Sequence, residues 1–127
     1  MSIHVLLVED EEDIRTMYAE QLTLAGYDVT TAIDGLDAIG KVSTNQPDIV
    51  LLDIILPEID GLEVLRRIKA DSKTQHIPVV MLSNLSQGAQ QEQCRQLGAN
   101  AFYIKASLIP SEMAEHVAEE LQRAHVV

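Results

Sequence analysis

The segment from Asp48 to Gly61 constrains this chain more than any other. Ile49 to Leu52 and Ile54 are apolar on both parities, with the carboxylate of Asp53 set among them. A strand with one wet face alternates; a strand without alternation is covered on both faces. Leu56-Pro57 and Asp60-Gly61 then break the pattern with turn chemistry. Asp53 is therefore expected at the C-terminal end of a central parallel strand, where open α/β sheets place their ligand crevice. A carboxylate there needs a partner or a chemical role. The plainer alternative is that it caps the helix that follows.

The rest of the chain divides into further strand and helix segments, with no repeats or low-complexity tracts. Ile3 to Val8 is a short apolar run that ends in five acids, Glu9 to Asp13. The last three suit the first turn of a helix, where the dipole favours them. Ile14, Met17, Tyr18, Leu22 and Ala25 recur at helical spacing until Gly26 stops the helix. Glu9 and Asp10 are left at the mouth of the strand, where like charges repel unless a metal lies between them. Tyr27 to Ala32 reads as a second strand, and Asp34-Gly35 turns into a helix carrying Leu36, Ile39 and Val42, ended by Asn45-Gln46-Pro47.

After Gly61, Leu62, Leu65 and Ile68 continue a helix through about Ser72. Ile77 to Leu82 is a fourth strand opened by Pro78, and it ends at Ser83-Asn84. Ser86 is the expected cap of a helix running to Leu97, with Gly98 as its stop. Its outer face is glutamine: Gln87, Gln90, Gln91, Gln93 and Gln96. Such a face is ordinarily solvated, and it can also serve as a contact surface. Ala101 to Ile104 is a fifth strand ending in Lys105. Pro110 then leads a last helix with Met113, Val117 and Leu121 inward and Glu112, Glu115, Glu119 and Glu120 outward. Five strands alternating with five helices, over one domain spanning 1–127, predict an α/β fold with a doubly wound five-stranded parallel sheet. Right-handed crossovers place all five strand C-termini on one edge.

Composition narrows the function. The net charge is −11, from 20 acidic and 9 basic residues, which argues against non-specific binding to nucleic acid or to a membrane surface. No apolar run is long enough to span a bilayer, and Met1 to His4 does not start a signal peptide. The single cysteine, Cys94, reads as a small buried helix residue, and the absence of a possible internal disulfide suggests a reducing, cytoplasmic setting.

The strand ends gather the chemistry. Strand one ends in Glu9 and Asp10, strand three in Asp53, strand four in Ser83 and strand five in Lys105. Oxygen ligands in this number suit Mg²⁺, which takes one or two carboxylates plus waters and phosphate oxygens. Lys105 can reach a phosphate as a point charge and Ser83 can donate to it. Asp53 is then the nucleophile, since carboxylates form acyl-phosphates. Phosphoryl transfer needs mainly positioning and charge neutralisation, which this set supplies.

Over essentially its whole length the chain resembles a response regulator receiver domain. The resemblance is carried by Val8-Glu9-Asp10, Leu52-Asp53 with Leu56-Pro57 and Asp60-Gly61, Met81-Leu82-Ser83, Leu97-Gly98-Ala99 and Lys105. It implies a flavodoxin-like (βα)5 receiver fold and a phosphoryl group accepted on Asp53 from the phosphohistidine of a sensor histidine kinase or phosphotransfer protein. It also implies direct Mg²⁺ ligation by Asp10, Asp53 and the backbone carbonyl of Ile55, with Glu9 acting through water. Ser83 and Lys105 would bind phosphoryl oxygens, and Ser83 with Phe102 would form the switch. Tyr103 should point to the opposite face of the sheet from Phe102. The surface running from the glutamine-faced helix through strand five to the last helix would signal to a downstream protein, as a monomer or a phosphorylation-dependent dimer. No catalysis is implied beyond self-phosphorylation and self-dephosphorylation.

Three positions depart from the family's pattern. Asn84 stands where the family has Ala or Gly. Ala106 follows Lys105 where the family has a cis proline; a non-proline cis bond costs roughly 3–4 kcal/mol, so the loop is strained or re-routed. The stretch from Ala106 to Pro110 is slightly long. Ile55 and Leu85 offer nothing to orient an attacking water, which predicts slow self-dephosphorylation. Asn84 and Ala106 also sustain an alternative, a receiver-fold interaction module that is not phosphorylated. A haloacid-dehalogenase-like phosphatase would need an acid at Ile55. A flavodoxin-like cofactor protein would need a phosphate loop where Glu9 to Asp13 stand, and a dinucleotide site would need a Gly-x-Gly-x-x-Gly that is absent.

Overall fold

The computed structural model describes residues 2–84 and 88–124. Five short strands, β1 (His4–Val8), β2 (Asp28–Ala32), β3 (Ile49–Asp53), β4 (Val79–Ser83) and β5 (Ala101–Ile104), form one parallel sheet in the order β2-β1-β3-β4-β5. The helices α1 (Glu12–Leu24), α2 (Gly35–Asn45), α3 (Gly61–Ala70), α4 (Gly88–Gln96) and α5 (Met113–Arg123) alternate with them. β3, whose sequence lacks alternation, is central and buried at every position, with neighbours on both sides. Leu6, Val8, Val50, Leu52 and Met81 pack on one face with residues of α2, α3 and α4, while Val5, Leu7, Ile49, Leu51 and Leu82 pack on the other with Tyr18, Leu22, Met113 and Val117. The odd–even split of each strand between two cores is why the sequence shows no wet parity.

The register aligns the strand ends. Val8 pairs with Leu52, Asp53 with Leu82, and Ser83 with Ile104, so the residues after each strand emerge along one edge. Gly61 is what lets the chain turn tightly there. A Cβ on it would stand 2.2 Å from the carbonyl oxygen of Asp53, and its own N–H donates to Ile54 O at 2.7 Å.

Several expectations shift. β4 begins at Val79, so Pro78 lies just outside the strand, where its carbonyl still accepts from Val50 N at 3.0 Å. α3 stops at Ala70 and not Ser72, because Asp71 is extended and its carbonyl turns to the N–H groups of Thr74 and Gln75. Met17 and Leu36 share their helices' apolar spacing yet are 40% and 56% exposed. Gln90 is half-buried, unlike Gln91, Gln93 and Gln96. The expected cap Ser86, with Gln87, lies outside the described residues.

Glu120 is the largest correction. Expected on the solvent side of α5, it is buried, with Oε2 accepting from the Tyr103 hydroxyl at 2.6 Å and from Arg123 at 2.9 Å. Phe102 and Tyr103 do face opposite ways, as consecutive strand residues must: Phe102 packs with the α2–α4 core and Tyr103 with the α1–α5 core.

Gly61→Ala should lose about 1–3 kcal/mol in urea unfolding, whereas Gly40→Ala, in α2 with open space around it, should gain about 0.5–1 kcal/mol. Burial, then the hydrogen bond to Glu120, pushes the Tyr103 phenol well above its ordinary value. A raised value means the neutral phenol stabilises the fold below its unfolded titration and that this contribution is lost as pH climbs through the folded one. Tyr103→Phe should therefore cost about 1–2 kcal/mol near neutrality by removing one of the two donors to a buried carboxylate, and that deficit should shrink in unfolding curves taken above about pH 10.

Candidate functional site

The C-terminal edge of the sheet collects acids that local structure alone would not bring together. β1 leads into Glu9, whose N–H extends the ladder to Ala32 O at 3.1 Å and which is 1% exposed as a residue. The next residue, Asp10, is exposed. β3 delivers Asp53, 5% exposed. Carboxylate oxygens of Glu9, Asp10 and Asp53 lie within 4.8 Å of one another. Such repulsion is offset from β5: the Lys105 ammonium, itself nearly buried, donates to Glu9 Oε1 and, at 2.9 Å, to Asp53 Oδ2.

Electrostatics record that balance. Burial raises the Glu9 carboxyl above its usual range, and the bonds from Lys105 and from the Glu11 N–H offset this only in part. Burial alone would lower Lys105, but its bonds to Glu9 and Asp53 outweigh that and raise it, so the ammonium stays charged. Glu9 Oε2 accepts from Glu11 N at 3.1 Å, and Asp53 Oδ1 from Ile55 N at 3.3 Å.

The capping alternative for Asp53 is answered by its neighbours. The carboxylate that caps α3 is Asp60, which accepts from Glu63 N at 3.0 Å. Asp53 is thus left for Lys105 and for whatever enters the cleft above it. That cleft, about 140 Å³, is lined by Asp10, Glu11, Asp53, Ile55, Asn84 and Lys105. Ser83 is wholly buried at the end of β4, one residue from the cleft wall, and is not itself part of the lining. Asn84, the unusually large residue after it, stands in the wall. Phe102 borders a separate hollow of about 340 Å³ between α4 and β5.

Re-routing, and not strain, is what the structure shows after Lys105. No cis peptide bond occurs among the described residues, and the chain runs from β5 directly into a 3-10 turn, Lys105–Ser107, followed by a second, Pro110–Glu112. The change of direction after β5 is made by these two turns, with trans peptide bonds.

Two residues at this edge escaped the sequence reading. Glu11 suits the first turn of a helix by its charge, yet it lines the cleft. Arg15, on the first turn of α1, folds back so that Nη1 donates to the carbonyls of Glu9 at 3.0 Å and Asp10 at 3.3 Å. The available signal was a lone arginine beginning to answer a run of five acids. Cys94 is buried within α4 and distant in role from this edge. No helix among the described residues is long and apolar enough to cross a membrane.

Comparison with known proteins converges on one family. The model of the family described as response regulator receiver domain matches residues 5–118. The response regulator PleD of Caulobacter vibrioides is 40% identical over 106 residues, which cover 83% of this chain and 23% of that protein. The polar-differentiation response regulator DivK of Brucella ovis is 33% identical over 110 residues, covering 87% of this chain and 89% of that protein. The chain thus spans about a quarter of the length of one relative and most of the other. Among solved structures, the chemotaxis response regulator CheY4 of Vibrio cholerae superposes with a TM-score of 0.88 at 26% identity, over 94% of this chain and 99% of that one. With a matching family model over most of its length, and an acidic strand-end cluster closed by Lys105, the chain belongs to the response regulator receiver domain family of two-component signalling.

Proposed function

We propose that this protein accepts a phosphoryl group on Asp53 from a phosphohistidine of a sensor kinase or phosphotransfer protein, and relays that state through the α4–β5–α5 surface to a partner protein. The observation that carries this reading is the Lys105 ammonium held against both Glu9 and Asp53 beside the open cleft. An Asp53 oxygen attacks phosphorus as the phosphorus–nitrogen bond breaks, and the departing imidazole keeps the nitrogen lone pair and is protonated from solvent. Asp53 is suited to this because its other contacts are modest, one ammonium and one backbone N–H.

The donor set fits Mg²⁺: three clustered carboxylates, one exposed, with hard oxygen atoms throughout. Asp10, Asp53 and the Ile55 carbonyl would hold the ion and Glu9 would act through water; when bound, it neutralises charge on phosphoryl oxygens. Lys105, which also holds Glu9, would shift from Asp53 Oδ2 to a phosphoryl oxygen. Ser83, at the end of β4, donates to the same group after a small movement. Phe102 is the side chain that responds, since it sits between its own core and the hollow beside α4. β5 is an edge strand, so a change there is carried at the surface. The chain does no further catalysis and works in the cytoplasm, as a monomer or a phosphorylation-dependent dimer.

Intact mass spectrometry with Mg²⁺ and acetyl phosphate tests the assignment. One added phosphoryl group is expected on the wild type and none on Asp53→Asn or in the presence of chelator. No adduct on a chain that binds Mg²⁺ would favour the unphosphorylated interaction module, with Asn84 obstructing the cleft. The phosphorylated form should persist for minutes or longer in Mg²⁺ buffer, because Ile55, 59% exposed beside Asp53, cannot orient a water; loss within seconds would remove that part of the reading.

A further inference from the structure

Arg15 is spent in an unexpected way. Five acids, Glu9 to Asp13, precede it closely in the chain, yet its guanidinium meets backbone. Nη1 donates to Glu9 O at 3.0 Å and to Asp10 O at 3.3 Å. Those carbonyls belong to the two residues of the β1–α1 loop whose carboxylates stand in the acidic cluster. The bonds are charge-assisted and converge on one nitrogen, so they fix successive peptide planes relative to the first turn of α1. Further restraints act on the same loop: Glu9 N is held by Ala32 O, Glu11 N by Glu9 Oε2, and Arg15 N by Glu11 O at 2.9 Å.

We propose that Arg15 is a positioning residue for divalent-cation binding: by clamping the carbonyls of Glu9 and Asp10 it holds the loop in the shape that points their carboxylates at the cation. The inference rests on the receiver reading of the site above. Two effects of Arg15 oppose one another. Its charge repels a cation, while its clamp removes the entropic cost of ordering the loop when the cation binds. The clamp should win. The guanidinium lies on the carbonyl side of the loop and is only half-buried, so solvent screens its charge, whereas the clamp acts on both residues directly. Groups that orient metal ligands typically contribute about 10–100-fold in affinity when removed, and Arg15, acting through the backbone, belongs at the lower end.

Titration calorimetry with MgCl₂ on the full chain reads this directly. Arg15→Gln should weaken Mg²⁺ about tenfold. Arg15→Lys, which keeps the charge but reaches fewer carbonyls, should fall between it and the wild type. In acetyl phosphate labelling, the Mg²⁺ concentration for half-maximal rate should rise by the same factor while the rate at saturating Mg²⁺ holds, a split that a general loss of stability would not produce. Thermal unfolding without Mg²⁺ checks that both variants are folded under the assay conditions. Wild-type affinity in Arg15→Gln would overturn the proposal, and tighter binding would mean that charge repulsion, not the clamp, is its role. A wild type that binds no Mg²⁺ at all would instead overturn the receiver reading on which this rests.

Discussion

One ammonium group makes the upper edge of this sheet possible. Glu9 and Asp53 are almost wholly buried beside each other, with Asp10 next to them, and without Lys105 their burial would leave like charges facing across a few ångströms. Lys105 comes from β5, two strands away from β3 in the sheet. The bridge therefore crosses the sheet edge, from β1 through β3 to β5, and ties the charged residues to the same register that builds the core. The same ammonium contacts Glu9 and Asp53 together, so a single positive charge answers two buried negative ones.

The rest of the edge leaves Asp53, though buried, at the wall of the cleft and free of any helix cap. Asp60 takes over the capping of α3, and Gly61 lets the turn after β3 come back against the Asp53 carbonyl, where any side chain would collide. After Lys105 the chain passes through two 3-10 turns, and the lysine still reaches its acids. The position of the lysine at the end of β5 is thus set by the strand and not by the peptide bond behind it.

On the opposite side of β5, the Tyr103–Glu120–Arg123 chain ties the strand to α5. Its neighbour Phe102 faces the other core beside an open hollow. One residue of the pair is anchored by hydrogen bonding and the next borders open space, so the two faces of this edge strand are held differently.

Much of this was legible in the residues. The unalternating runs at Ile3 to Val8 and Ile49 to Leu52 read as strands covered twice, with Ile77 to Leu82 as a further strand, and strands joined by helices wind in parallel. That pattern alone put Glu9, Asp10, Asp53, Ser83 and Lys105 on one edge, because parallel strands end together. What it could not carry was partnership. Helical spacing assigns Glu120 to the outside and Leu36 to the inside, yet Glu120 is buried and bonded across to Tyr103, and Leu36 is 56% exposed. Whether Asp53 caps a helix, how the chain leaves Lys105, and where Arg15 spends its guanidinium likewise turn on distances between segments far apart in the chain or folded back on themselves. Periodicity records which face of an element is apolar, and so the sequence by itself determined the layers and the strand ends. Only tertiary packing decided which polar groups meet, since a hydrogen bond depends on ångström-level approach that no one-dimensional pattern contains.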